Sequence, residues 1–312
     1  MSNRIETDKK GIQFHYDLPP EFFHYFLDPG MNYSCCYFQN KNDPLEKAAK
    51  NKLALICKKL NISKDDYVLD IGCGWGNFTL FAAENFGCHV TGITLSPSQA
   101  NYVKNKASGE GLSHLINTTV MHAYKMDFGP QKFDKIVTIG AIEHIADLRK
   151  MFAKCFDVLK DNGLMLVHGM SIPWRNRKEQ LEGKFSESMQ FLREHIFPVG
   201  QMITLNEVLK AMEENNFEII DVENITDHYT LTLRCWLNNL QKNKKEIEEK
   251  KIVEPLKLRA QLLFLMGCVE AFKDGNVYCY HTLARKIPKE NREQLPLTRE
   301  GYCLYPEPDR KI

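Results

Sequence analysis

The sequence predicts an α/β fold: a doubly wound, mostly parallel sheet of seven strands, entered through an N-terminal helical lid and carrying a helical insertion. Three observations predict it. From about residue 67 to 170, short apolar runs alternate with stretches of helical periodicity, the rhythm of parallel strands joined by crossover helices. The first apolar run ends in an acid and a glycine loop, "LDIGCGWGN", and a helical pattern follows at once. The chain has 312 residues, 43% hydrophobic and 26% charged, enough to bury a large core as one domain with insertions.

The elements follow in order. "YVLDI" is the first strand and "NFTLFAAENF" its helix; "CHVTGIT" is the second, with a helix from about Ser96; "TTVMHA" is the third. "FDKIVTIG" leads into a helix through "LRKMFAKCFDVLK", which Asn162-Gly163 should close with Lys160 in its last turn. "LMLVHGM" is the fifth strand. About residues 171–204, mostly helical and charged, form an insertion expected over the carboxyl ends of the strands. A helix near 205–215, the strand "FEIIDVE", two helical stretches through 229–272 and the strand "NVYCYHTLAR" complete the alternation. "KNKKEIEEKK" mixes signs at helical spacing and reads as a solvated face. The expected boundaries are a helical lid over 1–60, a core over 61–288 and an irregular tail over 289–312. No internal repeat is evident, which excludes solenoids.

Composition narrows the function. A net charge of +1, with no basic stripe, argues against nucleic acid. The start lacks an apolar leader, and no run approaches the roughly 18 apolar residues of a transmembrane helix, so the chain reads as soluble and cytoplasmic. Ten cysteines are scattered without a C-x-x-C pair, and adjacent Cys35 and Cys36 cannot bridge without strain. Reduced thiols without a metal are expected.

The glycine loop sets the cofactor. Asp70 sits at the strand end, and Gly72, Gly74 and Gly76 let a ligand approach the backbone at a helix start. The third glycine of a dinucleotide fingerprint would fall at Asn77, so NAD fits less well, and a Walker lysine is missing. S-adenosylmethionine is the remaining common occupant. The second strand ends in "GITLS" rather than in the acid that grips a ribose diol, which leaves Thr94, Ser96 and Gln99 to make the polar contacts.

That departure, with "HYDLPPEFFHYFLDPGMNYSCCYF", "GITLSPSQ", "GAIEHI", "REHIFP" and "DHYTLTLRCW", resembles the cyclopropane-fatty-acyl-phospholipid and mycolic acid cyclopropane synthase family of S-adenosylmethionine-dependent methyltransferases, over about residues 12–286. The resemblance implies the Rossmann-like class I methyltransferase fold. It implies that an alkene carbon of an unsaturated acyl chain attacks the sulfonium methyl, that bound bicarbonate then removes a proton from that methyl, and that the ring closes. The implied cradle is Cys35, Glu143, His168 and Tyr229, with the main chain at Ile139 and Cys35. In that picture Glu143 accepts the bicarbonate hydroxyl, while Tyr229 and a His168 N–H donate to its oxygens. The implied cofactor contacts are Tyr33 and Ser34 at the amino-acid end, Gly72, Cys73, Gly74, Trp75 and Gly76 as the cradle, Thr94, Leu95 and Gln99 at ribose and adenine, and Ala123 and Tyr124 at the adenine edge. Cys268 matches a cysteine once proposed as a nucleophile, but on an apolar helical face it reads as core packing.

Each assignment has a plainer rival: His168 as a hydrogen-bonded core histidine, Glu143 as a helix cap, Tyr229 as core. Four matches in four separate motifs favour the functional reading. The substrate is then an unsaturated acyl lipid or another hydrophobic small molecule, with Phe22, Phe23, Phe26, Met189, Phe191 and Phe197 as an acyl channel. Trp174, Arg175, Arg177 and Lys178 form an amphipathic patch for peripheral contact at the inner membrane surface, and a homodimer is compatible with this reading. Alternatives are methylation without ring closure, N-methylation of a small amine, and a silent scaffold, against which intact Glu143, His168 and Tyr229 argue.

Overall fold

The computed structural model describes residues 18–184, 187–196 and 202–299. One sheet has strands β1 (Tyr67–Ile71), β2 (His89–Thr94), β3 (Ile116–Val120), β4 (Phe133–Ile139), β5 (Leu159–Ser171), β6 (Phe217–Asn224) and β7 (Tyr278–Lys286), in the order β3-β2-β1-β4-β5-β7-β6. β1 to β5 run parallel, whereas β7 is antiparallel to both of its neighbours. The strand order reverses between β1 and β4, so the loops leaving those two strands part and open a crevice.

Alternation along β1 builds the two faces, because successive side chains of a strand point to opposite sides. Val68 faces α2 (Leu45–Lys59) and α3 (Asn77–Phe86), where it packs with Leu53, Ile56, Phe78 and Leu166. Leu69 faces α5 (Leu148–Val158) and α8 (Leu205–Glu213), where it packs with Met151, Phe152 and Met212. Helix starts follow their capping residues: the Ser96 hydroxyl accepts the Gln99 amide before Pro97 opens α4 (Pro97–Gly109), and Thr204 and Glu207 form a capping box on α8. The insertion carries α6 (Trp174–Leu181) and α7 (Glu187–His195).

A third apolar cluster joins α1 (Pro20–His24) to α9 (Thr226–Glu249) and α10 (Pro255–Lys273). Between α1 and α2 the chain is irregular rather than helical. Asp28 organises it, its carboxylate accepting the Gly30 and Asn32 amides at 3.0 Å each, a local bond that competes with helix formation.

Two local expectations are corrected. α5 ends at Val158, not at Asn162-Gly163: Leu159 already pairs with Phe133, and the register slips before Leu164 pairs with Lys135. Asn162, at φ 61°, therefore turns a bulge inside the strand, and Lys160 belongs to that bulge. β3 ends at Val120, ahead of "MHA", because His122 Nδ1 accepts the Tyr124 amide and starts a 3-10 turn over Ala123–Lys125.

Candidate active site

A cleft of about 1030 Å³, its open mouth included, lies where β1 and β4 diverge. Gly72 has φ +79°, and a Cβ there would stand 2.5 Å from the Ala141 Cβ, so only glycine lets the two loops approach. At Gly74, with φ +54°, a Cβ would meet nothing within 4 Å; its backbone faces open space. Asp70, Cys73 and Trp75 line the same floor, Thr94, Leu95 and Gln99 one wall, and Ala123 and Ile139 another. Tyr33 and Ser34 reach the cleft from the irregular segment.

Three expected cofactor residues do not line it. Gly76 caps α3 against Val103, the Ser96 hydroxyl is spent on the helix cap, and the Tyr124 hydroxyl accepts the Asp147 amide at 2.6 Å. Thr94 and Gln99 are bonded to each other, hydroxyl to amide oxygen, at 2.7 Å.

Sequence reasoning missed Lys52, Asn32, His122 and Ala141, which also line the cleft, together with His144 of the "GAIEHI" motif. Lys52 is the most consequential. Its ammonium is buried and donates to Asn32 Oδ1 at 2.6 Å and Ser34 Oγ at 3.2 Å, and among the described residues no carboxylate forms an ion pair with it. Burial lowers its pKa, against the opposing pull of Cys36, Asp28, Cys35 and Asp70. Burial also pushes Asp70 up to about 7, although the carboxylate accepts the Thr79 hydroxyl at 2.7 Å. In a lysine-rich helix this side chain looks like any solvated one.

The expected catalytic residues gather beside the cleft, mostly out of its lining. Ile139 of β4 stands opposite His168 of β5 in the ladder. Burial holds the Cys35 thiol well above its ordinary value, and the Cys279 thiol beside it adds to the rise. The Tyr229 phenol is likewise raised, first by burial and then by Cys279, Cys35 and Glu143. Both stay protonated, so they are neutral donors. Glu143, on the 3-10 turn Ile142–His144, accepts the Met170 amide at 2.6 Å through Oε1, while Oε2 is buried without a partner. Burial pushes this carboxyl up to about 7. It caps no helix, since Asp147 caps α5.

Other expectations change. His168 is enclosed by two neighbours: Nδ1 lies 2.9 Å from His281 Nε2, and Nε2 lies 3.6 Å from Cys279 Sγ, the tautomer deciding which atom donates in each. Phe22, Phe23 and Phe26 are fully buried and pack on one another with ring centroids 5.6 to 6.1 Å apart; they fill the core under the irregular segment rather than line a channel. Phe191 rests on His195, and Phe197 and the Met189 side chain lie outside the described residues. Arg177 forms a fork with Glu207 at 2.8 to 3.1 Å, which removes it from the amphipathic patch, whereas Trp174 is 63% exposed. Cys268 packs against the third cluster, its thiol pushed up to about 12 by burial.

Among the described residues no group of three or more His, Cys, Asp and Glu is arranged to hold a metal, and no helix is long and apolar enough to cross a membrane.

Residues 3–282 match the family model described as mycolic acid cyclopropane synthetase. A probable fatty acid methyltransferase of Pseudomonas putida is 32% identical over 304 residues, covering 96% of this chain and 75% of that protein. The sphingolipid C9-methyltransferase of Candida albicans is 32% identical over 289 residues, 89% of this chain but only 55% of its own length. Among solved structures, mycolic acid cyclopropane synthase CmaA1 complexed with SAH and CTAB superposes with a TM-score of 0.82 at 29% identity, covering 89% of this chain and 98% of that one.

Proposed function

This chain belongs to the mycolic acid cyclopropane synthetase family, and from that premise we propose that it is an S-adenosylmethionine-dependent methyltransferase that cyclopropanates double bonds in the acyl chains of phospholipids. The observation that carries the reading is Glu143 Oε2, a buried carboxylate oxygen without a partner, beside neutral thiols and a neutral phenol. An alkene that gains a methyl becomes cationic, and the Glu143 carboxylate beside neutral thiols and a neutral phenol stabilises that charge.

When bound, S-adenosylmethionine supplies an electrophilic methyl on a sulfonium. The floor around Gly74 admits its amino-acid end, and Lys52 beside Ser34 fits the carboxylate there. Bicarbonate fits the donor set in one respect, because its hydroxyl would satisfy Glu143 Oε2; when bound it supplies a base for the proton lost in ring closure. Tyr229 would donate a hydrogen bond to it from the protonated phenol and Cys35 from its main chain, the Cys35 thiol facing the Cys36 and Ile225 carbonyls. Exposed Trp174 and Lys178 support peripheral contact with a lipid surface.

A second reading, methyl addition without ring closure, is supported by the name of the sphingolipid relative. Both are tested by mass spectrometry of lipids from a host lacking its own cyclopropane synthase. A gain of one CH2 with loss of alkene reactivity is expected; the same gain with the alkene retained selects the second reading. Unchanged lipids alongside methylation of an added amine sink both.

A further inference from the structure

α10 is apolar on every side. Its inner face buries Leu258, Leu265, Val269 and Phe272 in the third cluster. Its outer face leaves Leu256 70% exposed, Leu263 58% and Met266 49%, and their spacing of seven and then three residues sets them in one stripe along the helix. A helix apolar all round is ordinarily enclosed by protein or by lipid, yet α10 lies open on one side.

The neighbouring surface has the same character. α6 exposes Trp174, Lys178 and Leu181 at intervals of four and three residues, Trp174 and Leu181 at 63% each. It is tied to the loop after α10: Arg175 donates to Asn276 Oδ1 at 3.4 Å and Asn176 to the Asn276 carbonyl at 3.3 Å. Between them, α7 packs against α10. α6 and α10 carry most of the large apolar side chains exposed among the described residues, a clustering that singly scattered surface residues do not show.

We infer that the outer face of α10 is the surface by which this protein lies on an anionic phospholipid bilayer, with Leu256, Leu263 and Met266 entering the boundary between headgroups and acyl chains and Arg259 meeting phosphate. This rests on the proposed lipid substrate.

Charge selects the occupant. From Pro255 to Val269 the helix carries Lys257 and Arg259 and no acid, and Arg259 is exposed within about one turn of both Leu256 and Leu263. Glu270, beyond that stretch, is paired with Lys273 at 3.0 Å. A second copy of the chain docking stripe to stripe would therefore bring apolar surface but no unpaired acid from within the stripe for Arg259, whereas a phospholipid supplies both acyl chain and phosphate. α10 is not long and apolar enough to cross a bilayer, so it lies in the interface plane.

The inner face joins this surface to the site. Gln261 Nε2 donates to the Tyr33 hydroxyl at 3.2 Å, and Tyr33 lines the cleft. Phe272 packs on Tyr229 with ring centroids 4.6 Å apart. One helix thus meets lipid on one side and residues of the candidate site on the other, so seating α10 holds the site about 10 Å, one helix diameter, from the acyl chains.

The test is sedimentation of the full chain with vesicles of phosphatidylcholine containing phosphatidylglycerol, beside vesicles of phosphatidylcholine alone. Wild type should bind the anionic vesicles, and added salt should weaken the binding. Leu263→Gln combined with Met266→Gln should lower affinity at least about tenfold, and Arg259→Gln should lower it severalfold at low salt only. All three side chains are exposed, so circular dichroism and thermal unfolding should stay at wild type. Affinity within twofold of wild type in the double variant overturns the proposal. So does a wild-type chain that elutes from gel filtration as a dimer and is split to monomers by the double variant, because a second copy would then cover the stripe. Vesicle binding needs neither cofactor nor turnover, so a protein that docks through α10 yet leaves the lipid unmethylated counts against the proposed reaction alone.

Discussion

Glu143 accepts the Met170 amide at 2.6 Å through one carboxylate oxygen and leaves the other buried and unpaired. The amide hydrogen bond opposes only part of the desolvation, which is why this acid sits near neutrality.

Replacing Glu143 by Gln should therefore stabilise the fold while removing activity. The folded carboxyl titrates at about 7 against 4.5 unfolded. Below about pH 4 both states hold the proton; between the two values the unfolded chain releases it first, so wild-type stability falls as pH rises toward 7. The 2.5-unit gap corresponds to on the order of 3 kcal/mol. Denaturant unfolding should find Glu143→Gln more stable by up to that amount above about pH 8 and equal to wild type near pH 4, with lipid product down at least about a hundredfold. Parallel stability curves would contradict this.

Lys52 should be needed for the cofactor rather than for the fold. Among the described residues its cation is hydrogen-bonded to the neutral acceptors Asn32 and Ser34, so a carboxylate entering the cleft gains a buried ionic partner. Calorimetric titration with S-adenosylhomocysteine should show Lys52→Met weaker by about tenfold or more, or about 1.4 kcal/mol, with an unchanged circular dichroism spectrum. Affinity within twofold of wild type would remove Lys52 from the site.

Trp174 and Arg177 should separate in a vesicle-binding assay. Trp174→Ala removes an exposed aromatic and should reduce sedimentation with anionic phospholipid vesicles severalfold. Arg177→Ala breaks the fork to Glu207 and should cost about 1 kcal/mol of stability with binding unchanged. Equal binding losses in both variants would restore Arg177 to the membrane-facing patch.

The sheet was largely legible because parallel strands buried on both faces write themselves as apolar runs, and the loop at Gly72 and Gly74 because its backbone leaves few alternatives to glycine. The end of α5 was misread: Asn162-Gly163 is locally a good helix stop, and only the pairing of Leu159 with Phe133 shows the strand already under way. Phe22, Phe23 and Phe26 were misread because an aromatic cluster spells the same whether it lines a channel or fills a core. Cys35, Glu143, His168 and Tyr229 were singled out through family likeness, not through spacing. Lys52 and His281 were invisible, since one depends on which helix face turns inward and the other on the register of strands more than a hundred residues apart.

The position of β7 also bears on how the protein is made. It is the last strand among the described residues but fits between β5 and β6, so a nascent polypeptide that has already emerged through β6 still holds an open slot. Until that slot fills, β5 and β6 present unpaired edges to other chains, and neither Cys279 nor His281 has reached His168. The cofactor cleft is drawn from residues up to Ile145 and can take shape earlier in synthesis. The β5–β7–β6 side of the sheet is thus completed last, and a chain stalled before residue 278 is expected to hold the residues of the cleft while the facing edges of β5 and β6 remain unpaired.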